Sequence, residues 1–271
     1  MPLSVNTNQG AMVALQSLNR TNMALEKTQL AITTGFRVSG PTDDASSFAI
    51  AQNMRGDIAG LGAVKTALAN GEATVNVAIE AGQSVADLLV EMKAKVVQAN
   101  QAGLDSASRT ALHNDFNELR SQISTIVSTA SFNGTNLINA SASNTSVLST
   151  VDGSTITVSA QKLDTTTLGI STSVLNTSAG AASALTAIDT AIQSVADKLA
   201  ALGSVSKRIE VQSSFTTKLT DILKSGVGNL VDADLAEESA KLQSLQIKQQ
   251  LGVQALSIAN SSPQTILGLF G

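Results

Sequence analysis

The sequence predicts a mainly α fold: a long antiparallel helical bundle or coiled coil with paired N- and C-terminal helices and a small β-containing insert. Three observations point there. An uninterrupted apolar seam at heptad spacing runs through the first third of the chain. Both ends carry similar seams broken by polar residues. Between them, an Asn-Gly turn opens a Ser/Thr-rich stretch with strand-like alternation.

The N-terminal seam is Ala11, Leu15, Leu18, Asn22, Leu25, Gln29, Ile32 and Phe36, at alternating steps of four and three. That spacing holds one stripe on one side of a helix and suits coiled-coil packing. Thr33-Thr34-Gly35 and Ser39-Gly40-Pro41 then mark a loop. Thr42 reads as an N-cap, with Asp43 and Asp44 in a first turn where carboxylates complement the helix dipole. A short helix follows, through Asp57.

The strongest periodicity comes next. Leu61, Val64, Leu68, Gly71, Val75, Ala78, Gly82, Val85, Leu89, Met92, Val96 and Ala99 keep heptad spacing without a polar residue. The element is about 39 residues, or roughly 58 Å at 1.5 Å per residue. Gly71 and Gly82 each cost roughly 1 kcal/mol against Ala. They read either as close-approach points for a neighbour or as kinks. After Gly103, Ser106 or Ser108 is the expected cap of a returning helix with the seam Leu112, Phe116, Leu119, Ile123, Ile126 and Ala130.

Phe132-Asn133-Gly134-Thr135 predicts a tight turn. Residues 141–180 are rich in Ser and Thr, with weak alternation at Ile156, Val158 and Ala160, and read as a solvent-facing excursion. Helical spacing resumes at Leu185, Ile188, Ile192, Val195, Leu199 and Leu202. It continues less cleanly through Ile209, Phe215, Leu219 and Ile222. Gly226-Val227-Gly228-Asn229 is the expected break before a last helix whose seam is Val231, Leu235, Glu238, Leu242, Leu245, Gln249, Gly252, Leu256 and Ala259. The chain goes out and comes back, so its two ends meet. A narrow seam cannot form a core alone, and the ends therefore read as assembly elements.

Composition narrows the function. Apolar residues are 43% of the 271, but aromatic residues are 2%, with no Trp or Tyr. Small aliphatic side chains suit close helix packing better than the aromatic walls of a ligand pocket. The net charge is −4 with basic residues scattered, which argues against nucleic acid as a partner. No apolar run reaches the roughly 18 residues of a membrane span, so no membrane is expected as a partner either. The start, MPLSVNTNQG, lacks a secretory signal pattern. The expectation is residence in the cytosol or export by a route without a cleaved signal. Cysteine is absent, which excludes disulfides and thiol catalysis.

No residue group suggests catalysis, a metal or a cofactor. His113 is the only histidine and lacks a sequence-near nucleophile or ligand, so it reads as a surface side chain. Asp232, Asp234, Glu237 and Glu238 lack the glycine and twelfth-position glutamate of a calcium loop. Asp234 and Glu237 instead stand at capping-box spacing. Asp43 and Asp44 are adjacent, and neighbours on a helix do not face one another. They read as a helix start or a subunit contact. Asn-x-Ser/Thr triplets at Asn133, Asn144 and Asn176 carry little weight in Ser/Thr-rich sequence. Asn22, Gln29, Glu238 and Gln249 interrupt the terminal seams and read as register-fixing polar groups.

Residues 33–61, TTGFRVSGPTDDASSFAIAQNMRGDIAGL, resemble bacterial flagellin. The carriers are Thr34, Gly35, Arg37, Val38, Asp43, Asp44, Ala45, Ala49 and Ile50. The stretch SFNGTNLI is similar to the family's turn after the helical hairpin. Asp234, Ala236, Glu237, Glu238, Ser239, Ala259, Asn260, Pro263, Gln264 and Leu267 match its C-terminal signature. The resemblance implies a secreted structural subunit that polymerises into the extracellular flagellar filament for swimming motility. It implies export through the flagellar type III system and no enzymatic role. The implied partners are other copies, mixed with paralogous flagellins or not, an export chaperone, a cap protein and the hook–filament junction protein. Residues 1–43 and 226–271 would form the inner coiled coil. Residues 44–225 would form a rod-like domain, with helices near 44–58, 61–100, 107–130 and 181–225 and the insert at 131–180. Leu15, Leu18, Asn22, Leu25, Gln29, Ile32, Leu235, Leu242, Leu245, Gln249 and Leu256 would line the polymerisation seam. Arg37, Asp43, Asp44, Glu237 and Glu238 would be subunit contacts, and unspecified outer Ser/Thr residues would be O-glycan sites.

Two departures from the family pattern carry expectations. The short insert leaves no room for extra outer domains. The segment Leu88-Leu89-Val90-Glu91-Met92-Lys93-Ala94 lacks the two arginines of immune-recognised flagellins, so weak recognition by the animal receptor is expected. Other readings are a hook–filament junction protein, separable by copy number, and a secreted helical adhesin that binds through the insert.

Overall fold

The computed structural model describes residues 7–267, with side chains for 7–261. It contains α1 (Gln9–Thr34), α2 (Ala45–Ala99), α3 (Ser106–Thr129), β1 (Thr145–Leu148), β2 (Thr155–Val158), α4 (Ser178–Val231) and α5 (Leu235–Leu267). The mainly α expectation with a small β insert holds. The chain divides into two compact units, Met1–Gly56 with Ile222–Gly271, and Asp57–Asp221.

In the unit 57–221 the heptad seam of α2 is the core. Val64, Leu68, Val75, Ala78, Val85, Leu89, Met92, Val96 and Ala99 are all buried. They pack with Phe116, Ile123 and Val127 of α3 and with Ile188, Val195, Leu202 and Ile209 of α4. The α2–α3 turn is fastened by buried Arg109, which donates to the carbonyls of Ala99 and, at 2.9 Å, Gln101. A guanidinium is well suited to the unsatisfied carbonyls and negative dipole end of a helix. The cap of α3 is Asp105, which accepts from Ser108 N, so neither serine expected there serves.

Gly71 and Gly82 of α2 are close-approach points. A Cβ on Gly71 would lie 2.5 Å from Val147 Cγ2 of the hairpin, and one on Gly82 2.7 Å from Leu199 Cδ2 of α4. Gly60 is the same: its Cβ would meet Val151 Cγ1 at 2.8 Å. The expected separation into helices 44–58 and 61–100 therefore does not occur. Gly60 admits a neighbour, Gly62 borders open space, and α2 runs through both.

The insert departs from expectation more strongly. Phe132 and Thr135 exchange backbone bonds at 2.9 Å around Asn133 and Gly134, both at positive φ, as the turn predicted. Beyond it the segment is not simply solvent-facing. Leu137, Ile138, Val147, Ile156, Val158, Leu163, Leu168, Ile170 and Leu175 are buried in the main core. β1 and β2 pair antiparallel with Val147 opposite Ile156, which turns one face of the hairpin inward. Ala160, expected to continue the strand, lies outside it. His113 is half-buried rather than free on the surface: its Nδ1 accepts from Leu175 N at 3.3 Å, and Nε2 lies 3.1 Å from the Asn117 amide.

The second glycine break also fails to appear. α4 continues through Gly226 and Gly228 to Val231, and the interruption falls at 232–234. A Cβ on Gly228 would meet Asp232 Oδ2 at 2.7 Å, so this glycine makes room for the turn that follows it. In α4 the seam expected at Phe215 and Ile222 also slips. Thr216 is buried, while Phe215 and Ile222 are exposed.

Candidate assembly surface

α1 and α5 lie against each other within the unit that contains both chain ends. α1 begins at Asn8, whose Oδ1 accepts from Ala11 N at 3.0 Å and whose Nδ2 donates to Ala259 O at 2.6 Å. It ends at Gly35, in the left-handed conformation at φ 74°, whose N–H returns to Ala31 O. α5 begins at Asp234, whose Oδ1 accepts from Ala236 N and Glu237 N. Asp44 does the same for α2, accepting from Ser46 N and Ser47 N. Thr42, expected in that role, lies in the preceding turn.

On α1 the contact line keeps most of the sequence seam and shifts by one step at two positions. Leu18, Asn22, Leu25 and Ile32 are half-buried on it, with Ala14 and fully buried Thr28 where Leu15 and Gln29 were expected. Leu15 and Gln29 are exposed. The smaller side chains let the backbones approach, as at Gly252, where a Cβ would lie 3.2 Å from Leu18 Cδ1. On α5 the seam falls as expected at Glu238, Leu242, Leu245, Gln249, Leu256 and Ala259, but Leu235 is exposed. Gln249 Nε2 donates to Asn22 Oδ1 at 2.9 Å.

The remaining apolar side chains face outward. On α1 these include Met12, Val13, Leu15, Met23 and Leu30, and on α5 Leu235, Ile247, Leu251, Val253 and Ile258, between 48% and 70% exposed. Large apolar side chains left exposed in this number on one helix pair suit an interaction surface. The pair is also under-satisfied inside: among the described residues, Thr28 Oγ1 and Glu238 Oε2 are buried without a hydrogen-bond partner. Each such atom costs roughly 1–3 kcal/mol.

Where the two chain segments cross, Phe36 and Asp232 form an antiparallel bridge. Arg37 N donates to Val231 O at 2.7 Å and Ala233 N to Gly35 O at 2.9 Å. Arg37 Nη2 reaches Leu230 O, placing a cation on the last carbonyls of α4. Arg55 lies 5.6 Å above the Phe36 ring. Beside the bridge is an open cleft of about 630 Å³ that brings Arg37, Asp43, Asp44, Glu237 and Glu238 together. Lys27 pairs with Asp43 at 3.0 Å and Lys241 with Glu238 at 3.1 Å. Lys27 and the Ser39 hydroxyl and N–H hold the Asp43 pKa down at about 2. Ser47, whose hydroxyl and N–H both bond the carboxylate, lowers that of Asp44.

Sequence reasoning missed the outward apolar face because it assigned each helix one seam and left the other apolar residues unread. Among the described residues no cluster of His, Asp and Glu could hold a metal, and no helix is long and apolar enough to cross a membrane. The motif residues Pro263, Gln264 and Leu267 lie beyond the described side chains.

Two family descriptions match the chain: the bacterial flagellin N-terminal helical region at residues 5–143 and the C-terminal helical region at 185–270. Flagellin FljM of Caulobacter vibrioides is 47% identical over 268 residues, 98% of each chain. The flagellin of Brucella melitensis is 38% identical over 281 residues, covering 98% of this chain and 99% of that one. Among solved structures, Bacillus cereus flagellin matches with a TM-score of 0.50 at 24% identity, over 54% of this chain and 86% of that one. A Vibrio parahaemolyticus protein described as flagellar hook-associated matches at 0.59 and 15% identity, over 70% and 100%. The last two likenesses are of fold alone.

Proposed function

From the premise that the chain belongs to the bacterial flagellin family, we propose how its surfaces build a filament. The protein is a structural subunit of the extracellular flagellar filament, and its relatives include several paralogous flagellins of one organism. The outward apolar face of α1 and α5 carries the reading. Burying side chains such as Met12, Val13, Leu251 and Ile258 between copies yields roughly 1.5–3 kcal/mol each before ordering costs are subtracted.

The polymerisation seam thus has two sides. Leu18, Asn22, Leu25, Ile32, Leu242, Leu245, Gln249 and Leu256 hold the pair together. Leu15, Gln29 and Leu235, which face outward, join the contact with neighbours. Arg37, Asp43, Asp44, Glu237 and Glu238 shape the crossing at the base of the pair and contact adjacent subunits. Residues 1–43 and 226–271 form the inner layer and 44–225 the outer. The polymer has no catalytic task. Type III export, a chaperone, a cap protein, a junction protein and O-glycans on outer Ser/Thr residues complete the proposal.

A pair this thin, with unsatisfied Thr28 and Glu238, is only marginally stable in a lone subunit and is completed by neighbours. Backbone amides of α1 and α5 should exchange fast in the monomer and slowly in the filament. Removing residues 1–36 or 230–271 should abolish seeded elongation while the far-ultraviolet circular dichroism of the remainder stays helical. Filaments built from either truncated chain would end this reading.

A further inference from the structure

The easily oxidised side chains of this protein are methionines alone. Cys, Trp and Tyr are absent, and the one histidine, His113, is half-buried with both ring nitrogens in hydrogen bonds. A two-electron oxidant such as hydrogen peroxide therefore meets thioethers first. There are five methionines, of which Met1 lies outside the described residues. The other four differ in access. Met92 is fully buried in the core of the unit 57–221. Met54 is half-buried, and a Cβ on Gly226 would lie 3.9 Å from both its Sδ and its Cε. Met12 and Met23 are 64% and 62% exposed.

The two exposed sulphurs share one side of α1. Met12, Met23 and Leu30 are eleven and seven residues apart, which is about three and about two helical turns. That side faces away from half-buried Leu18 and Leu25 on the contact line with α5. Around Met12 an open groove of about 770 Å³, shared with Val13 and Leu15, gives a small oxidant free passage to the sulphur. Val13, Leu15 and Leu30 beside the methionines, and Leu251 and Ile258 on α5, are exposed aliphatics inert to peroxide. Among the described residues, Met12 and Met23 are thus the oxidisable points of the outward face.

In the reaction a sulphur lone pair attacks one peroxide oxygen. An S–O bond forms as the O–O bond breaks, and sulphur gives up two electrons. The departing hydroxide takes the proton of the transferred hydroxyl and leaves as water. The product is a polar, chiral sulfoxide whose oxygen demands hydrogen bonds. Within a lone chain little changes, because both side chains already stand in water. Pressed against the aliphatic side chains of a second copy, the same oxygen is stranded, and burying an unpaired polar group is unfavourable.

We propose that Met12 and Met23 are oxidation sites that switch a free subunit between an assembling and a non-assembling form. Sulfoxides at the two positions keep the subunit out of the polymer, and their reduction readmits it. Burial between copies shields the same sulphurs once a subunit is incorporated. The switch rests on the filament reading above and adds to it a chemical state of the subunit on which elongation depends.

The test treats the full chain with hydrogen peroxide, maps the added oxygens by peptide mass spectrometry, and measures the critical concentration for seeded elongation. Met12 and Met23 should convert first, Met54 more slowly and Met92 last. The doubly oxidised chain should show a critical concentration raised by about tenfold, with its circular dichroism unchanged. Methionine sulfoxide reductase should restore the untreated value. The M12L/M23L chain, still apolar at both positions, should elongate after peroxide as untreated wild type does. In preformed filaments both methionines should oxidise about tenfold more slowly than in the free chain. Conversion of Met12 and Met23 no faster than that of Met92 would overturn the proposal. So would an oxidised chain that elongates normally, a reductase treatment that restores nothing, or equal oxidation rates in filament and monomer. Failure of the untreated wild-type chain to elongate would instead count against the filament reading.

Discussion

Asn22 and Gln249 meet across the terminal pair, Gln249 Nε2 donating to Asn22 Oδ1 at 2.9 Å between residues 227 positions apart. The bond sits among half-buried aliphatic side chains, so it costs stability relative to an apolar pair and fixes which residues of α1 and α5 stand opposite. Replacing one partner by Ala strands the other. A double-mutant cycle of Asn22→Ala and Gln249→Ala, read by hydrogen exchange in the assembled filament, should give a coupling of about 0.5–1.5 kcal/mol. A value near zero would mean that water satisfies both amides equally well.

Asp43 predicts an acid response. Folding lowers its pKa from an ordinary value of 3.8 to about 2, through Lys27 and Ser39. The ionised carboxylate therefore stabilises the fold above the unfolded value, and that contribution is lost as pH falls toward 2. Asp43→Asn should be less stable than wild type at neutral pH, with the gap closing between about pH 4 and pH 2. Acid titration followed by circular dichroism checks it. A gap that stayed constant down to pH 2 would remove the carboxylate from the account.

The glycines of α2 separate two opposing effects. A methyl added at Gly62 would meet no atom within 4 Å beyond its own stretch of helix, so Gly62→Ala should gain roughly 0.5–1 kcal/mol from reduced chain entropy. Gly71→Ala would place its methyl 3.2 Å from Val147 Cβ and closer still to both methyls of that valine. Valine is stiff about χ1, so the hairpin must retreat. Overpacking of this kind costs about 1–3 kcal/mol, more than the helix gains. Thermal unfolding of the two variants should shift in opposite directions.

Recognition by the animal flagellin receptor should be weak, because 88–94 lacks both arginines of the recognised pattern and exposes Val90, Glu91 and Ala94 instead. A cell reporter compared with a recognised flagellin measures it. A full-strength response would show that recognition uses other residues.

The parts of the fold legible in the sequence are those where apolarity and burial coincide. Every seam residue from Val64 to Ala99 with a large side chain is inside, so one period sufficed. Legibility ended where apolar residues lie outside the core. Met12, Leu15, Phe215 and Ile222 are as hydrophobic as any core residue, yet they face outward. Thr28 on the α1–α5 contact line and Thr216 in α4 are buried instead, polar residues that no hydrophobicity pattern selects. Leu163, Ile170 and Leu175 were missed for another reason: they pack from irregular backbone, where no period exists to read. The partner of His113 is a backbone N–H 62 residues away, beyond any local motif.

The bridge between Phe36 and Asp232 has a mechanical meaning. Two backbone hydrogen bonds, from Arg37 N to Val231 O and from Ala233 N to Gly35 O, join the root of each terminal arm. These peptide groups tie the two arms together at their root, in addition to the α1–α5 contact along their length. In the polymer proposed above, a subunit loaded through one arm would pass the strain to the other through this crossing.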